Sequence, residues 1–216
     1  MLLLAFDTAT PTVSVALHDG STTVVRWARE GARRHAELLA PGITAVLSDA
    51  GADRRELTDV AVGVGPGPYT GLRVGVVTAR TLAAVLGTRL HGVCTLDVLA
   101  AQARRDGIEG PFVVATDARR KEIYWARYDA AGHRVTGPSV DRPAAVATQL
   151  PAGLPAIGRG ARLYPDVLSA ADGPLDPDAG VLADAVASGA VTELAAEPLY
   201  LRRPDVAAPS PRKPVS

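Results

Sequence analysis

The chain has 216 residues, of which 47% are apolar and 21% charged, and its 23 basic residues balance its 23 acidic ones. This length allows one large or two small domains, and the composition excludes a disordered or membrane-embedded chain. A net charge of zero argues against a protein that binds nucleic acid without a partner protein, because such binding needs an excess of cations to displace phosphate counterions.

Cysteine and histidine usage excludes the common metal sites. Cys94 is the single cysteine, so there is no disulfide framework and no thiolate cluster, and we expect a buried, inert thiol. The histidines are too far apart for a zinc pattern, so no metal ligand is expected. The amino-terminal segment 2–6 lacks the features of a signal peptide, and no apolar run reaches membrane-spanning length. We therefore expect a cytoplasmic protein without a membrane partner.

The first half of the chain is predicted to fold in the order β-β-β-α-β-α-β-α. Alternating or short apolar runs favour strands, and apolar residues three or four positions apart favour helices. The predicted strands are 2–6, 13–17, 22–27, 60–64 and 90–93, and the predicted helices are 35–50, 72–86 and 95–104. Pro41 and Gly42 lie inside the first helix and are expected to kink or break it.

The same pattern begins again after residue 106. Segment 112–117 parallels the strand that ends at Asp7, an alternating segment starts at Ile123, and 133–140 is predicted to complete a second three-stranded unit. This internal duplication is the plan of the actin, hexokinase and Hsp70 superfamily. We therefore predict a duplicated RNase H-like (actin-like) α/β fold with two lobes, each containing a mixed β-sheet and flanking helices.

Three regions follow from the duplication. Residues 1–106 are predicted to form the amino-terminal lobe, and residues 107–203 a smaller, degenerate carboxy-terminal lobe in which Pro and Ala replace clear helix signals. The Pro-rich tail 204–216 is expected to be disordered or draped over the surface.

Asp7 and Thr8 are predicted to lie in the cleft between the lobes, where ligands bind in folds of this kind. A carboxylate there could hold a metal ion through water, and the Thr8 hydroxyl could donate to a phosphate oxygen. The alternative, which the sequence alone favours, is that Asp7 accepts backbone hydrogen bonds in its own turn.

The Gly- and Pro-rich loop 65–71 precedes a predicted helix, with Thr70 as the expected N-cap. Its backbone N–H groups could bind a phosphate, although the lysine of a Walker motif is missing. A β–α turn that needs glycine for positive φ is an equally good interpretation. The candidate vestigial nucleotide-binding residues are Asp7, Thr8, Gly65, Gly67, Thr70 and Gly71. Segment 158–160 is a candidate counterpart in the second lobe, although a plain loop explains it better.

The helices at 35–50 and 72–86 are apolar on more than one face. Such a helix needs a second packing surface. Burial within the chain and contact with a partner explain this equally well. A local arginine patch could still contact RNA at zero net charge, although we expect no such contact without a partner. The candidate pairs are Arg33-Arg34, Arg119-Arg120 and Arg202-Arg203.

Six segments together resemble the TsaB family, subunits of the bacterial machinery that makes threonylcarbamoyladenosine in tRNA. The resemblance covers Leu2 to about Ala207. The GPGPYTGLRVG and DARRKEIYWARY matches are highly specific in combination. The six segments are LLLAFDTATPTVSVAL, HAELLAPGI, GVGPGPYTGLRVGVVTARTLA, GVCTLDVLA, ATDARRKEIYWARYD and PLYLRRPDVA.

The resemblance also implies what the chain lacks. The related transferase subunit TsaD shares the glycine loop and the following helix, and then carries a His-x-x-x-His metal motif. Thr95 and Leu99 stand where the two histidines would be. A hydroxyl and an isobutyl group cannot replace two imidazole ligands, so no catalytic residue and no required cofactor are expected. Weak binding of ATP or ADP at the loop 65–71 is left as an alternative.

The partners implied by the resemblance are a TsaD-like transferase, bound through the two long helices of the first lobe, and a TsaE-like ATPase that joins the complex. tRNA is expected to reach the chain only through that complex, and the chain is expected to form a homodimer when alone. The expected contact residues are Leu39, Ile43, Val46, Arg73, Val77 and Arg80.

Two other functions compete with this one. An independent actin-superfamily ATPase or small-molecule kinase would use Asp7, the glycine loop and Asp117. The missing lysine, the small second lobe and the lack of a clear catalytic base argue against it. A metallopeptidase is nearly excluded, because no two histidines have metal-ligand spacing.

Overall fold

The computed structural model describes residues 1–31 and 34–202. The predicted tail 204–216 lies outside these residues, as do Arg33 and Arg203 of the predicted arginine pairs. Within the described part of the chain, no helix has both the length and the apolar character needed to cross a membrane.

The first sheet has six strands in the order β10-β5-β4-β1-β2-β3. Strands β1, β2 and β3 are antiparallel neighbours, whereas β4 and β5 run parallel to β1. Short β10 closes the far edge antiparallel to β5. The strands are β1 (Leu3–Asp7), β2 (Thr12–His18), β3 (Thr23–Glu30), β4 (Asp59–Gly65), β5 (Arg89–Cys94) and β10 (Glu193–Leu194).

Helices cover both faces of this sheet, because side chains alternate between the faces along each strand. Leu4 and Phe6 point to the face covered by α1 and α2, and Leu3 and Ala5 point to the face covered by α3 and α6. The helices are α1 (His35–Ala50), α2 (Tyr69–Leu86), α3 (Thr95–Arg105) and α6 (Ala179–Ala187), with a 3-10 turn at Arg54–Glu56. The expected break at Pro41 is wrong, since α1 continues from residue 35 to 50.

The second sheet has four strands in the order β8-β7-β6-β9. Its three antiparallel strands followed by a parallel one reproduce the β3-β2-β1-β4 order of the first sheet. The predicted duplicated α/β fold is thereby confirmed. The remaining elements are β6 (Phe112–Asp117), β7 (Ile123–Tyr128), β8 (Arg134–Asp141), α4 (Pro143–Ala147), β9 (Ala156–Ile157) and α5 (Arg159–Leu163).

Helix α3 joins the two sheets through its two buried faces. Val98 packs in the core of the first sheet, while Leu96 and Leu99 pack with Phe112 and Tyr128 of the second. The Tyr128 hydroxyl also donates to Asp97 Oδ1 at 2.7 Å. The two lobes therefore share helix α3, which packs in the cores of both, in addition to the chain segment that connects them.

The structure departs from the predicted carboxy-terminal lobe of 107–203 in one respect. Helix α6 packs on β1 and β2, and β10 pairs with β5, so both belong to the first sheet. The second unit has no fifth strand of its own among the described residues, and the chain beyond α5 covers the first sheet. The sequence could not show this, because β10 pairs about 100 residues upstream.

Leu182 tests the return of α6 to the first sheet. Its side chain is fully buried among Leu3, Ala16 and Val98. We expect Leu182→Ala to lower the free energy of unfolding by about 2–4 kcal/mol, because a cavity replaces a buried isobutyl group. Urea unfolding followed by tryptophan fluorescence measures the loss. Val85→Ala, at a side chain 76% exposed, is the control and should change the free energy by less than about 0.5 kcal/mol. Equal losses in both variants would contradict the placement of α6.

Candidate functional site

Asp7 lies at the carboxyl end of β1, completely buried. Its Oδ1 accepts from the Ala9 backbone N–H at 2.7 Å, and its Oδ2 accepts from the Thr95 hydroxyl at 2.7 Å. A Cβ on Gly63 would overlap this carboxylate, so the neighbouring strand must carry glycine here. The hydrogen bond from Ala9 is the backbone interaction that the sequence favoured for Asp7.

Burial is the main influence on the Asp7 carboxyl group. Loss of solvation raises its pKa to about 6, against the opposing effect of the hydrogen bonds from Ala9 and Thr95, and the nearby Asp176 carboxylate raises it further. Cys94 shows the same effect, since burial raises the pKa of its thiol to about 12. The thiol is fully buried, as the sequence predicted.

Thr8 and the start of α2 are packed against each other. The Thr8 hydroxyl donates to the Gly71 carbonyl at 2.8 Å and is itself buried. A Cβ on Gly71 would overlap the Thr8 carbonyl, and one on Gly75 would overlap the Thr8 hydroxyl. The expected phosphate-donating hydroxyl is therefore used for internal packing.

The glycine loop lies against the turn that follows β1. Gly65 has φ of +97°, and its N–H donates to the Thr95 hydroxyl at 3.1 Å. A Cβ on Gly67 would overlap the Ala9 carbonyl. Thr70 is not the N-cap of α2: Pro68 holds that position and Thr70 is an exposed residue of the first turn. The predicted N-cap was wrong because α2 begins at Tyr69, three residues before Leu72, where the apolar helical pattern starts.

The second lobe closes over this turn. Gly158 and Gly160 pack on the backbone of residues 115–116 at the end of β6. Between Ala9 and Thr10 on one side and Thr116 and Asp117 on the other, the remaining gap is about 10 Å³. Small-molecule pockets measure roughly 300–1,000 Å³. Most of the space at the floor of the cleft is thus filled by the protein itself.

Arg159 ties the lobes together at the same place. Its guanidinium donates to Asp176 Oδ2 at 2.6 Å and lies 3.0 Å from Glu30 Oε1 on β3. Asp176 Oδ2 also accepts from the Thr12 hydroxyl at 2.9 Å. Sequence reasoning singled out the segment around Arg159 but missed Thr12 and Asp176, because nothing local marks partners so far apart in the chain.

A second candidate site lies on the outer face of α2. Arg73 and Arg80 are exposed, and Val77 is 59% exposed. They border a groove of about 570 Å³, here called the α2 groove. It is also lined by Thr81, Ala84, Val85, Pro198 and Tyr200.

The predicted contact residues on α1 are placed differently. Leu39 is 2% exposed and Val46 is fully buried in the core of the first sheet, so neither can meet a partner. Ile43 is half-buried and packs against the same core. The apolar stripe that these residues share is the inward face of α1. The structure therefore keeps only the α2 half of the predicted contact face at the surface.

The chain was compared with known protein families. Residues 28–212 match the family model described as TsaD, tRNA N6-adenosine threonylcarbamoyltransferase.

Individual relatives agree with that match. An uncharacterized protein of Mycobacterium leprae is 38% identical over 209 residues, which cover 94% of this chain and 55% of the relative. The tRNA threonylcarbamoyladenosine biosynthesis protein TsaB of Bacillus subtilis is 34% identical over 129 residues, 59% of this chain and 55% of that protein. The chain thus spans about half the length of these two relatives.

A solved structure matches over nearly its whole length. YeaZ (a synonym of TsaB) from Pseudomonas aeruginosa superimposes with a TM-score of 0.79 at 31% identity, over 93% of this chain and 99% of YeaZ. This likeness extends the match to both lobes.

The buried Asp7 carboxyl predicts a pH dependence of stability. Its pKa of about 6 lies above the ordinary value, so between about pH 4 and pH 6 the folded chain holds a proton that the unfolded chain has lost. The free energy of unfolding should therefore fall as the pH rises through this window, by up to about 3 kcal/mol. The loss is nearly complete about one pH unit above the folded pKa.

Asp7→Asn should remove this fall, because an amide does not ionise. Thr95→Val should deepen it, because losing the hydroxyl donor raises the pKa of Asp7 further. Urea unfolding of the three proteins at pH 4, 5, 6 and 7 measures both effects. An Asp7→Asn variant that keeps the fall would assign it to other groups.

Proposed function

The chain belongs to the TsaB family, and on that premise we propose that it is a non-catalytic subunit that binds and activates a TsaD-like transferase in tRNA threonylcarbamoyladenosine synthesis. In this role it works in the cytoplasm, a TsaE-like ATPase joins the assembly, and tRNA is modified on the TsaD-like partner.

The observation that carries the proposal is the α2 groove. Val77 and Val85 are large apolar side chains that are 59% and 76% exposed on a helix otherwise well packed against its sheet. Exposed apolar area of this kind, flanked by Arg73 and Arg80, is typical of a protein–protein interface. The fitting occupant is the corresponding helix of the TsaD-like subunit, which shares the glycine loop and the helix after it.

The absence of catalysis is supported by the residues that replace the metal-binding histidines of the transferase. The Thr95 hydroxyl is committed to Asp7 and to the Gly65 N–H. Leu99 is fully buried in the core shared with the second sheet. Neither side chain offers a ligand to a metal ion, and Asp7 is occupied by internal hydrogen bonds.

Co-purification with the TsaD-like protein of the same organism tests the proposal, followed by threonylcarbamoylation of tRNA with and without this chain. We expect a stable complex and strong stimulation of modification. Val77→Glu should weaken the complex at least about ten-fold, because removing water from a carboxylate in an apolar interface costs more than about 1.4 kcal/mol even beside Arg73 and Arg80. Isothermal titration calorimetry measures the affinity.

Val135→Glu is the matched control, since Val135 is 46% exposed on β8 of the second sheet. It should leave both the complex and the modification unchanged. If both variants bind equally well, the α2 groove is not the interface.

The proposal would be contradicted if no complex forms and tRNA modification is unaffected by this chain. Pure chain that hydrolyses ATP, with the activity lost in Asp7→Asn, would favour the kinase or ATPase alternative. A homodimer broken by Val77→Glu, without binding to the transferase, would assign the groove to a second copy.

A further inference from the structure

Arg73 is held at the edge of the α2 groove by a stack of two tyrosine rings. Its Cζ atom lies 4.6 Å from the centroid of the Tyr69 ring, and Tyr69 stacks on Tyr200 with centroids 5.0 Å apart. The two tyrosines are 42% and 39% exposed, so the stack stands at the surface. Contact with a ring face restricts the long arginine side chain but uses none of its N–H donors. The stack therefore fixes a positive charge one helical turn from Val77.

Arg73 has no carboxylate partner within the described chain. Among residues 1–31 and 34–202, no Asp or Glu oxygen lies within 4.0 Å of its guanidinium. Arg80, the second arginine of the groove, differs in this respect, because Glu197 Oε1 lies 3.8 Å from its Nη1. We therefore treat the charge of Arg80 as balanced, and only that of Arg73 as available to a partner's carboxylate.

The α2 groove offers no negative charge of its own to match Arg73. Its described lining contains two arginines and no carboxylate, and the remaining side chains are apolar or uncharged. Helix α2 itself has no Asp or Glu anywhere between Tyr69 and Leu86. A second copy of this chain that laid its own α2 in the groove would thus bring further arginines and, from that helix, no carboxylate. Like charges brought together at an interface cost free energy.

We propose that the α2 groove takes a helix of the TsaD-like partner that presents an apolar face with an adjacent carboxylate, and that this carboxylate pairs with Arg73. The inference rests on the proposed function and adds to it the chemistry of the partner's surface. Arg73 then determines specificity, because it favours an apolar helix with an acidic edge over a second α2 of this chain. Holding the guanidinium in place beforehand reduces the side-chain freedom that binding removes.

Arg73→Gln tests the inference in the complex with the TsaD-like protein of the same organism. Glutamine is polar but carries no charge, so the affinity should fall about ten-fold. Isothermal titration calorimetry at about 50 mM and about 500 mM salt adds a second readout, because salt screens an ion pair. The parent complex should weaken more steeply with salt than the Arg73→Gln complex.

Arg29→Gln is the matched control. Arg29 is an exposed arginine whose Cζ lies 5.6 Å from the centroid of the Trp27 ring. It lies on β3, at the opposite edge of the first sheet from β10. The control removes the same charge and a similar ring contact, and should leave both the affinity and its salt dependence unchanged. Thermal unfolding checks that both variants are folded.

Self-association of the chain alone is measured by analytical ultracentrifugation. Arg73→Gln should not weaken it, because a second α2 offers Arg73 no carboxylate. An Arg73→Gln variant that loses self-association and the complex with the TsaD-like protein to the same extent overturns the inference, since a second copy would then supply the carboxylate.

Three further results would also overturn the inference. They are an Arg73→Gln complex as tight as the parent complex, one that keeps the parental salt dependence, and equal weakening by Arg29→Gln. Val77→Glu separates these results from a failure of the proposed function. If Val77→Glu weakens the complex and Arg73→Gln does not, the α2 groove is still the interface and only the acidic edge of the partner is wrong. If neither variant weakens the complex, the α2 groove is not the interface.

Discussion

The close packing of the turn after β1 against the glycine loop and the first turns of α2 is the constraint on which the site depends. Thr8 donates into the start of α2, while the Ala9 carbonyl fills the space beside Gly67. A side chain at Gly71 or Gly75 would push the two segments apart. The same contact removes water from Asp7 and leaves its carboxyl group with only the hydrogen bonds that the protein supplies. The turn after β1 is thus used for internal bonding.

This internal packing has a consequence on the outside of α2. Because the inner face of the helix is anchored by glycine contacts and by Leu72 and Val76, its outer residues do not contribute to the core. Val77 and Val85 remain exposed there, and the long stems of Arg73 and Arg80 on either side of Val77 extend the apolar area. A chain selected only for its own stability gains nothing from these valines. Their exposure is the reason that the proposed interface is placed on this face of α2.

Much of the fold could be predicted from periodicity. The strands of the first unit and helices α1 and α3 agree with the sequence within a few residues, since their apolar residues repeat clearly. The duplication was also visible, because the strands that end at Asp7 and Asp117 are alike and a hairpin pattern follows each. The return of α6 and β10 to the first sheet could not be predicted, because such pairing depends on distant residues. Periodicity likewise identified the apolar stripe of α1, but it could not tell a face that meets the sheet from one that meets a partner. Leu39 and Val46 were misplaced for that reason.

The candidate site was predictable only in part, for a related reason. Residue type and spacing identified Asp7, Thr8 and the glycines, but not what they contact. Thr95 donates to Asp7 from 88 residues away, and Asp176 accepts from both Arg159 and Thr12. Sequence comparison marked Thr95 only as a replaced metal ligand, and no motif contains Asp176.

The position of Tyr200 connects the two surfaces of the molecule. Its ring stacks on Tyr69 with centroids 5.0 Å apart, and Arg73 lies over Tyr69. Tyr200 lines both the α2 groove and a cavity of about 250 Å³ at the mouth of the cleft. A protein seated on α2 would therefore touch the same aromatic pair that borders this cavity.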